Sequence, residues 1–189
     1  MTKTNDRKTD VYRRMKYVQR FGNRKTFLKS ISHEDDVFFC KQFSSDEVNR
    51  YLFDAEPCSS VLEAAEWIDF YLEEEPGNQH RRVLVLKENG EKIGTCGFHR
   101  WNAERHEVEL GYDLWPTYWK RGYTYEAVGR ILDFAAKDMG VQTVFARISV
   151  DNAASSCTAL KLGFVRSGEQ YYEEFHGQKY LHDIYVKTL

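Results

Sequence analysis

Residues 107–127 read EVELGYDLWPTYWKRGYTYEA, an alternating strand pattern that runs into proline and then into a loop with a lone glycine. The residues that follow, VGRILDFAAKDMG, place apolar side chains at helical spacing. A strand that feeds a short glycine-bearing loop and then opens a helix presents unpaired backbone amides to an anion. The stretch therefore predicts a phosphate-binding turn around Gly122, although the same glycine would also serve a plain change of chain direction.

The composition is that of one globular domain, with 189 residues, 42% of them hydrophobic, and a net charge of −2. Such a balance gives no global attraction to nucleic acid or to an anionic membrane. The sequence shows neither an apolar run of roughly 18 residues, as a membrane helix needs, nor the apolar centre of a secretory signal near its start. We therefore expect a cytoplasmic protein without a nucleic-acid or membrane partner. Its four cysteines lack C-x-x-C spacing, so we expect neither a disulfide framework nor a metal site.

The order of patterns along the chain predicts one mixed α/β domain over 23–189, preceded by a basic extension over 1–22. Strand and helix periodicities follow as strand, two helices, three strands, helix, strand, helix and two strands. We expect a mostly antiparallel central sheet of about seven strands, flanked by about four helices. In the second helix, which Pro76 and Gly77 should end, the predicted apolar face comprises Val61, Leu62, Ala65, Trp67, Ile68 and Leu72.

Four motifs, in this order along the chain, resemble those of a GNAT-superfamily acetyltransferase of the ribosomal-protein-alanine N-acetyltransferase type. They are KIGTCGF, VELGYDLWPTYWKRGYTYEA, DNAASSCTALKLGF and HDIYVKTL. The resemblance covers the chain from about residue 24 to its end, and it implies the GNAT fold with splayed central strands. The loop departs from the superfamily pattern, because Trp119 and Thr124 occupy places that more often hold other residues and Lys120 replaces a frequent glycine.

The resemblance implies acetyl-CoA as the co-substrate. The histidines show no metal-ligand spacing, so we expect no metal. The pyrophosphate is expected against the amides of the loop, the pantetheine arm along the fourth predicted strand, and an asparagine of the N-x-x-S motif against that arm. The implied cofactor-binding residues are Leu114, Trp115, Lys120, Arg121, Gly122, Tyr123, Thr124, Asn152 and Ser155.

The resemblance also marks two carboxylates and one hydroxyl for catalysis. An amine is mostly charged at neutral pH, so a positioned base helps it to attack. Glu174 falls where this branch carries its proposed base, and Glu109 falls where other superfamily members place theirs. Ser155 matches the serine proposed to protonate the coenzyme A thiolate. Each also has a purely structural interpretation, as a surface carboxylate or as part of a helix cap.

The implied activity is transfer of an acetyl group to a primary amine by direct attack in a ternary complex. The acceptor would be a protein N-terminal amine or a small-molecule amine, and the protein would be a monomer or a homodimer. A non-catalytic acyl-CoA-binding sensor or scaffold is the alternative. The presence of Glu174, Glu109 and Ser155 favours the enzyme.

Overall fold

The computed structural model describes residues 20–22, 24–53, 55–72 and 80–189. Most of the predicted basic extension, up to residue 19, and the predicted helix stop at Pro76 and Gly77 lie outside these described residues. The boundary between the extension and the domain stays a prediction.

The described residues form one mixed sheet with helices on both faces, in the predicted order. Its elements are β1 (Arg20–Gly22), β2 (Thr26–Ser30), α1 (Asp36–Phe43), the single-turn α2 (Asp46–Asn49), α3 (Val61–Leu72), β3 (His80–Leu86), β4 (Lys92–Asn102), β5 (Glu107–Leu114), α4 (Tyr123–Phe134), β6 (Thr143–Ser149), α5 (Ala153–Lys161), β7 (Val165–Phe175) and β8 (Gln178–Thr188). The predicted fold class is confirmed; the short β1, at the end of the predicted extension, adds an eighth strand to the described sheet.

The sheet opens in its centre. Its strand order is β1-β2-β3-β4-β5-β6-β8-β7, and every neighbouring pair is antiparallel except β5 and β6. The parallel pairing joins only residues 107–109 to residues 143–145, although β5 runs on to Leu114 and β6 to Ser149. The two strands therefore diverge beyond Glu109 and leave a gap between them, as the resemblance implies.

Each face of the sheet has its own core. One face packs against α4 and α5 around Val108, Val128 and Phe164, and the other packs against α1 and α3 around Phe39, Ile68 and Val83.

The predicted apolar face of α3 is partly wrong. Ala64 and Ile68 are fully buried, with Trp67 and Tyr71 packed beside them, whereas Leu62 is 73% exposed. The sheet lies on the side of the helix that carries Ala64, so the inward face is rotated from the one that hydrophobicity alone indicates.

A buried polar network fixes β5 to its neighbours. The Asp113 carboxylate accepts hydrogen bonds from Gln42 Nε2 of α1 at 2.7 Å, from the Thr95 amide at 3.1 Å, and from the Thr95 hydroxyl and the Arg81 guanidinium. Gln42 and Thr95 are almost completely buried, and only 4% of the Asp113 side chain is exposed. Because buried charges are stable only when paired and hydrogen-bonded, this network holds α1, β3 and β4 against the strand that borders the gap.

Candidate active site

The loop after β5 has the backbone geometry of an anion cradle. Gly122 is the N-cap of α4 with a φ of +81°, Lys120 has a φ of +61°, and Arg121 between them has a negative φ. Successive residues of opposite hand turn their amides toward one point and form an anion-binding nest. The Glu126 amide donates to the Gly122 carbonyl at 3.1 Å. The amides of residues 123–125 therefore have no acceptor within the helix.

The side chains around the loop add positive charge and a pair of packed aromatic rings. Lys120 and Arg121 are exposed, and the Arg121 guanidinium lies 5.6 Å from the centre of the Tyr118 ring. Tyr118 in turn meets Tyr123 edge to face at 6.1 Å. Convergent amides at a helix start, with two cationic side chains beside them, form a donor set that fits a pyrophosphate.

The gap extends from Glu109 along β5 toward this loop, and the backbone groups of β5 alternate in whether they face it. The Trp115 amide donates to the Ile93 carbonyl of β4 at 2.8 Å, so this amide points toward β4 and away from the gap. Backbone groups alternate in direction along an antiparallel ladder, which turns those of Leu114 and Tyr112 toward the gap instead. The Leu114 carbonyl accepts a hydrogen bond from Trp119 Nε1 at 2.7 Å. Trp119 thus ties the loop to the end of β5.

The opposite wall of the gap is the start of α5. Asn152 is its N-cap, and the Asn152 Oδ1 atom accepts a hydrogen bond from the Ser155 amide at 3.0 Å. The capping interpretation of Asn152 is therefore correct, and its side-chain amide nitrogen remains a donor that could serve a ligand. Ser155 Oγ lies 2.7 Å from the Tyr112 hydroxyl, so a hydroxyl pair joins β5 to α5. Burial raises the pKa of Tyr112 to about 12.

Glu109 lies where β5 and β6 part, on the opposite face of the sheet from Tyr112, because the two residues are three positions apart on one strand. Only 13% of its side chain is exposed. Arg100 Nη1 donates to one carboxylate oxygen at 2.5 Å, and Arg147 Nε lies 3.8 Å from the other. Arg100 sits at a register shift of β4 with a φ of +50°, a strained conformation that directs its side chain toward Glu109.

The sequence profile of the acetyltransferase (GNAT) domain matches residues 25–165. The chain belongs to the GNAT family. It is 30% identical over 167 residues to the N-acetyltransferase p20 of Bacillus licheniformis, a match that covers 86% of this chain and 90% of that protein.

Two solved GNAT structures share the fold. Spermidine N-acetyltransferase from Vibrio cholerae, in complex with CoA and spermine, superimposes with a TM-score of 0.77 and 19% identity, covering 88% of this chain and 96% of that one. Ribosomal-protein-S5-alanine acetyltransferase from Vibrio fischeri gives 0.74 and 22%, covering 89% and 96%.

In this GNAT chain Glu174 lies away from the meeting point of β5 and β6. It is exposed on β7 and faces Lys179 across the closing hairpin. Its neighbour Glu173 pairs with Tyr180, whose ring stacks on Phe53 at 3.7 Å. Side chains alternate along a strand, so Glu173 faces this aromatic cluster and Glu174 faces away from it.

Three side chains beside Glu109 were not singled out as site residues in the sequence. Arg100 and Arg147 hold its carboxylate, and the Arg147 guanidinium also lies 4.2 Å from the centre of the Tyr171 ring. His99 is the cross-strand neighbour of Glu109, and burial lowers the pKa of its imidazole to about 3. The sequence held one signal for the position of His99, because a glycine inside a strand often marks a close approach by another group. A Cβ at Gly111 would lie 2.7 Å from His99 Nε2.

The two buried cysteines give little support to a covalent mechanism. Burial raises the pKa of Cys96 to about 12 and that of Cys58 to about 11, so both remain protonated thiols. Within the described ranges there is no group of His, Cys, Asp and Glu side chains that could hold a metal ion, and no helix there is long and apolar enough to cross a membrane.

Proposed function

We propose that this protein transfers the acetyl group of acetyl-CoA to a primary amine by direct attack in a ternary complex. The observation that carries the proposal is the gap between β5 and β6. At the end of β5 it has the loop with the backbone geometry of an anion cradle, and where the strands meet it has the largely buried carboxylate of Glu109. Acetyl-CoA supplies a thioester whose carbonyl carbon accepts the amine and whose thiol departs.

The cofactor-binding residues act through backbone and charge. The amides of residues 121–124 bind the pyrophosphate, with Lys120 and Arg121 contributing charge-assisted contacts. The backbone groups of Leu114 and Tyr112 that face the gap pair with the pantetheine arm. An amide of this edge polarises the thioester carbonyl, since a preorganised donor there stabilises the oxyanion that forms. The side-chain amide of Asn152 serves the same arm.

Of the two carboxylates, we propose Glu109 as the general base. It lies where the gap closes, and its two guanidinium partners fix its position. A carboxylate accepts about four hydrogen bonds, and of the two guanidinium groups only that of Arg100 lies within hydrogen-bond distance, so acceptor positions remain for an amine. Glu174 is exposed on the other side of the hairpin from the aromatic cluster, which makes it the weaker candidate. Ser155, on the opposite face of the sheet, protonates the departing thiolate.

The acceptor approaches from the face of Glu109, where Phe53, Tyr171 and Tyr180 supply aromatic walls and Glu173 adds negative charge. A spermidine N-acetyltransferase and a ribosomal-protein-alanine acetyltransferase, both similar in structure, support either a small amine or a protein N-terminal amine as the acceptor. We further propose a cytoplasmic monomer or homodimer that acts without a metal and without nucleic-acid or membrane partners.

The test is an amine-panel assay that follows release of the coenzyme A thiol for the wild type, Glu109→Gln and Glu174→Gln. Wild-type protein should turn over at least one amine. Glu109→Gln should lose about 10²-fold or more of the rate, the lower end of what a general base contributes, with partial rescue at high pH. Glu174→Gln should lose much less. The reverse order would move the base to β7, and no thiol release with any amine would refute the function.

A further inference from the structure

The hydroxyl of Tyr112 is placed to act on the reaction through Ser155. It lies 2.7 Å from Ser155 Oγ and 3.2 Å from the Ser155 carbonyl oxygen. A phenol that reaches two acceptors on one residue can change its acceptor by rotating its proton, without moving a heavy atom. The Ser155 amide is already held by Asn152, so the serine backbone is fixed while its hydroxyl is free to turn.

We propose that Tyr112 is a positioning residue that donates to Ser155 Oγ, aims the serine proton at the sulfur of coenzyme A and replaces that proton when it leaves. This inference rests on the proposed function. In the resting arrangement Tyr112 donates to the Ser155 carbonyl and Ser155 donates to the phenol. When the thiolate forms, Tyr112 donates to Ser155 Oγ, and the serine hydroxyl is released toward the sulfur.

The proton balance closes without another reactant. The carbon–sulfur bond breaks and its electron pair stays on sulfur, which takes the proton of Ser155. Ser155 takes the proton of Tyr112 in the same step, so no free serine alkoxide forms, and Tyr112 regains a proton from water. The proton lost by the amine leaves through Glu109 to water. Burial raises the pKa of the Tyr112 phenol to about 12, so the phenol is protonated at neutral pH and has a proton to donate to Ser155 Oγ.

The structure supports this role over simple packing. Tyr112 and Ser155 belong to different elements on either side of the gap, and their hydroxyls meet on the face opposite Glu109. The amine therefore loses its proton on one face of the sheet while the thiolate gains its proton on the other. The two proton transfers of the proposal thus use separate groups, Glu109 for the amine and the hydroxyl pair for the thiolate.

The decisive measurement is the pKa of the thiol of enzyme-bound coenzyme A. It is determined from the ultraviolet absorbance of the thiolate as a function of pH, with desulfo-coenzyme A as the blank. It needs no acceptor. A hydrogen bond from Ser155 stabilises the thiolate, so Ser155→Ala should raise this pKa by about one unit. Tyr112→Phe should raise it in the wild-type background and leave it unchanged in the Ser155→Ala background, because Tyr112 acts only through Ser155.

Two further variants make the result unambiguous. Tyr172→Phe, which removes a hydroxyl from an exposed tyrosine of β7, should leave the thiol pKa unchanged. Replacing Tyr112 by 3-fluorotyrosine retains the ring and hydroxyl but makes the phenol more acidic. It should lower the thiol pKa, and it provides the test should Tyr112→Phe fold poorly. With an accepted amine, Tyr112→Phe should lower kcat with little change in the KM for acetyl-CoA.

Each outcome decides the inference. Equal shifts from Tyr112→Phe in both backgrounds, or no shift from either change at Tyr112, would overturn it and leave the proposed function standing. Failure of wild-type protein to bind coenzyme A would overturn both.

Discussion

Gly122→Asp should strongly weaken the binding of acetyl-CoA while leaving the protein folded. A Cβ at Gly122 would have no heavy atom within 4 Å beyond its chain neighbours, so the new side chain fits the free protein. Its cost to folding is the strain of a φ of +81° in a residue with a Cβ, about 1 kcal/mol. The larger effect falls on the ligand, since the carboxylate would stand where the pyrophosphate binds.

Electrostatics sets the size of this effect. Two like charges about 4 Å apart repel by about 1 kcal/mol in water and about 4 kcal/mol at an effective dielectric constant of 20. The pyrophosphate presents two charges to the new carboxylate, so even the lower figure gives about 2 kcal/mol. We therefore expect binding to weaken by at least about 30-fold, because each 1.4 kcal/mol is a factor of ten.

Isothermal titration calorimetry with acetyl-CoA measures this directly, and two matched variants separate the causes. Gly122→Asn adds the same bulk without charge and should weaken binding less. Gly140→Asp adds the same side chain after the helical turn Ala135–Met139 that continues α4, at a glycine with a φ of +67° and open surroundings, and should not change affinity. Unchanged affinity in Gly122→Asp would refute the assignment of the loop, as would equal losses in Gly122→Asp and Gly140→Asp.

Three further predictions concern the framework around the site. Asp113→Ala should lower the free energy of unfolding in urea by about 3–5 kcal/mol, because it leaves the Arg81 guanidinium buried without its carboxylate; a loss below about 1 kcal/mol would mean that the network is not structural. Burial lowers the pKa of both His80 and His99 to about 3, so these imidazoles stay neutral in the folded protein while the unfolded chain binds protons below about pH 6.5. Protonation of these two groups does not affect the free energy of unfolding above that pH, but lowers it as the pH falls toward 3, by about 1.4 kcal/mol per pH unit for each histidine. His99→Gln should reduce the slope of the free energy of unfolding against pH, measured by urea unfolding. An unchanged slope would contradict this origin. Gly111→Ala should lower the melting temperature measured by calorimetry, since its Cβ would lie 2.7 Å from His99 Nε2, and an unchanged melting temperature would show that the imidazole moves aside without cost.

The order of elements could be predicted from the sequence because it depends on local periodicity. The glycine loop was likewise visible, since a left-handed N-cap favours the residue found at 122. The inward face of α3 was mispredicted at Leu62, because hydrophobicity alone does not say on which side of a helix the sheet lies. The direction of the Trp115 amide also depends on tertiary structure, because it follows from the register with Ile93. The role of Trp115 in cofactor binding stays a prediction.

The chemical environment of the site depends on contacts that the sequence does not encode locally. Arg100 reaches Glu109 through a register shift in β4, and Arg147 comes from another strand. The pairing of Tyr112 with Ser155 joins residues separated by a helix and a strand. Only the assembled sheet brings these groups together, so the sequence indicated candidate residues and the fold supplies their partners.

The most direct test of the account is to incubate the protein with isotopically labelled acetyl-CoA and a panel of primary amines, and to locate the label by mass spectrometry. Direct attack in a ternary complex predicts labelled amide in equal amount to the coenzyme A released, with no label bound covalently to the protein. Label on a cysteine of the protein during turnover, or none on any amine, would contradict the account.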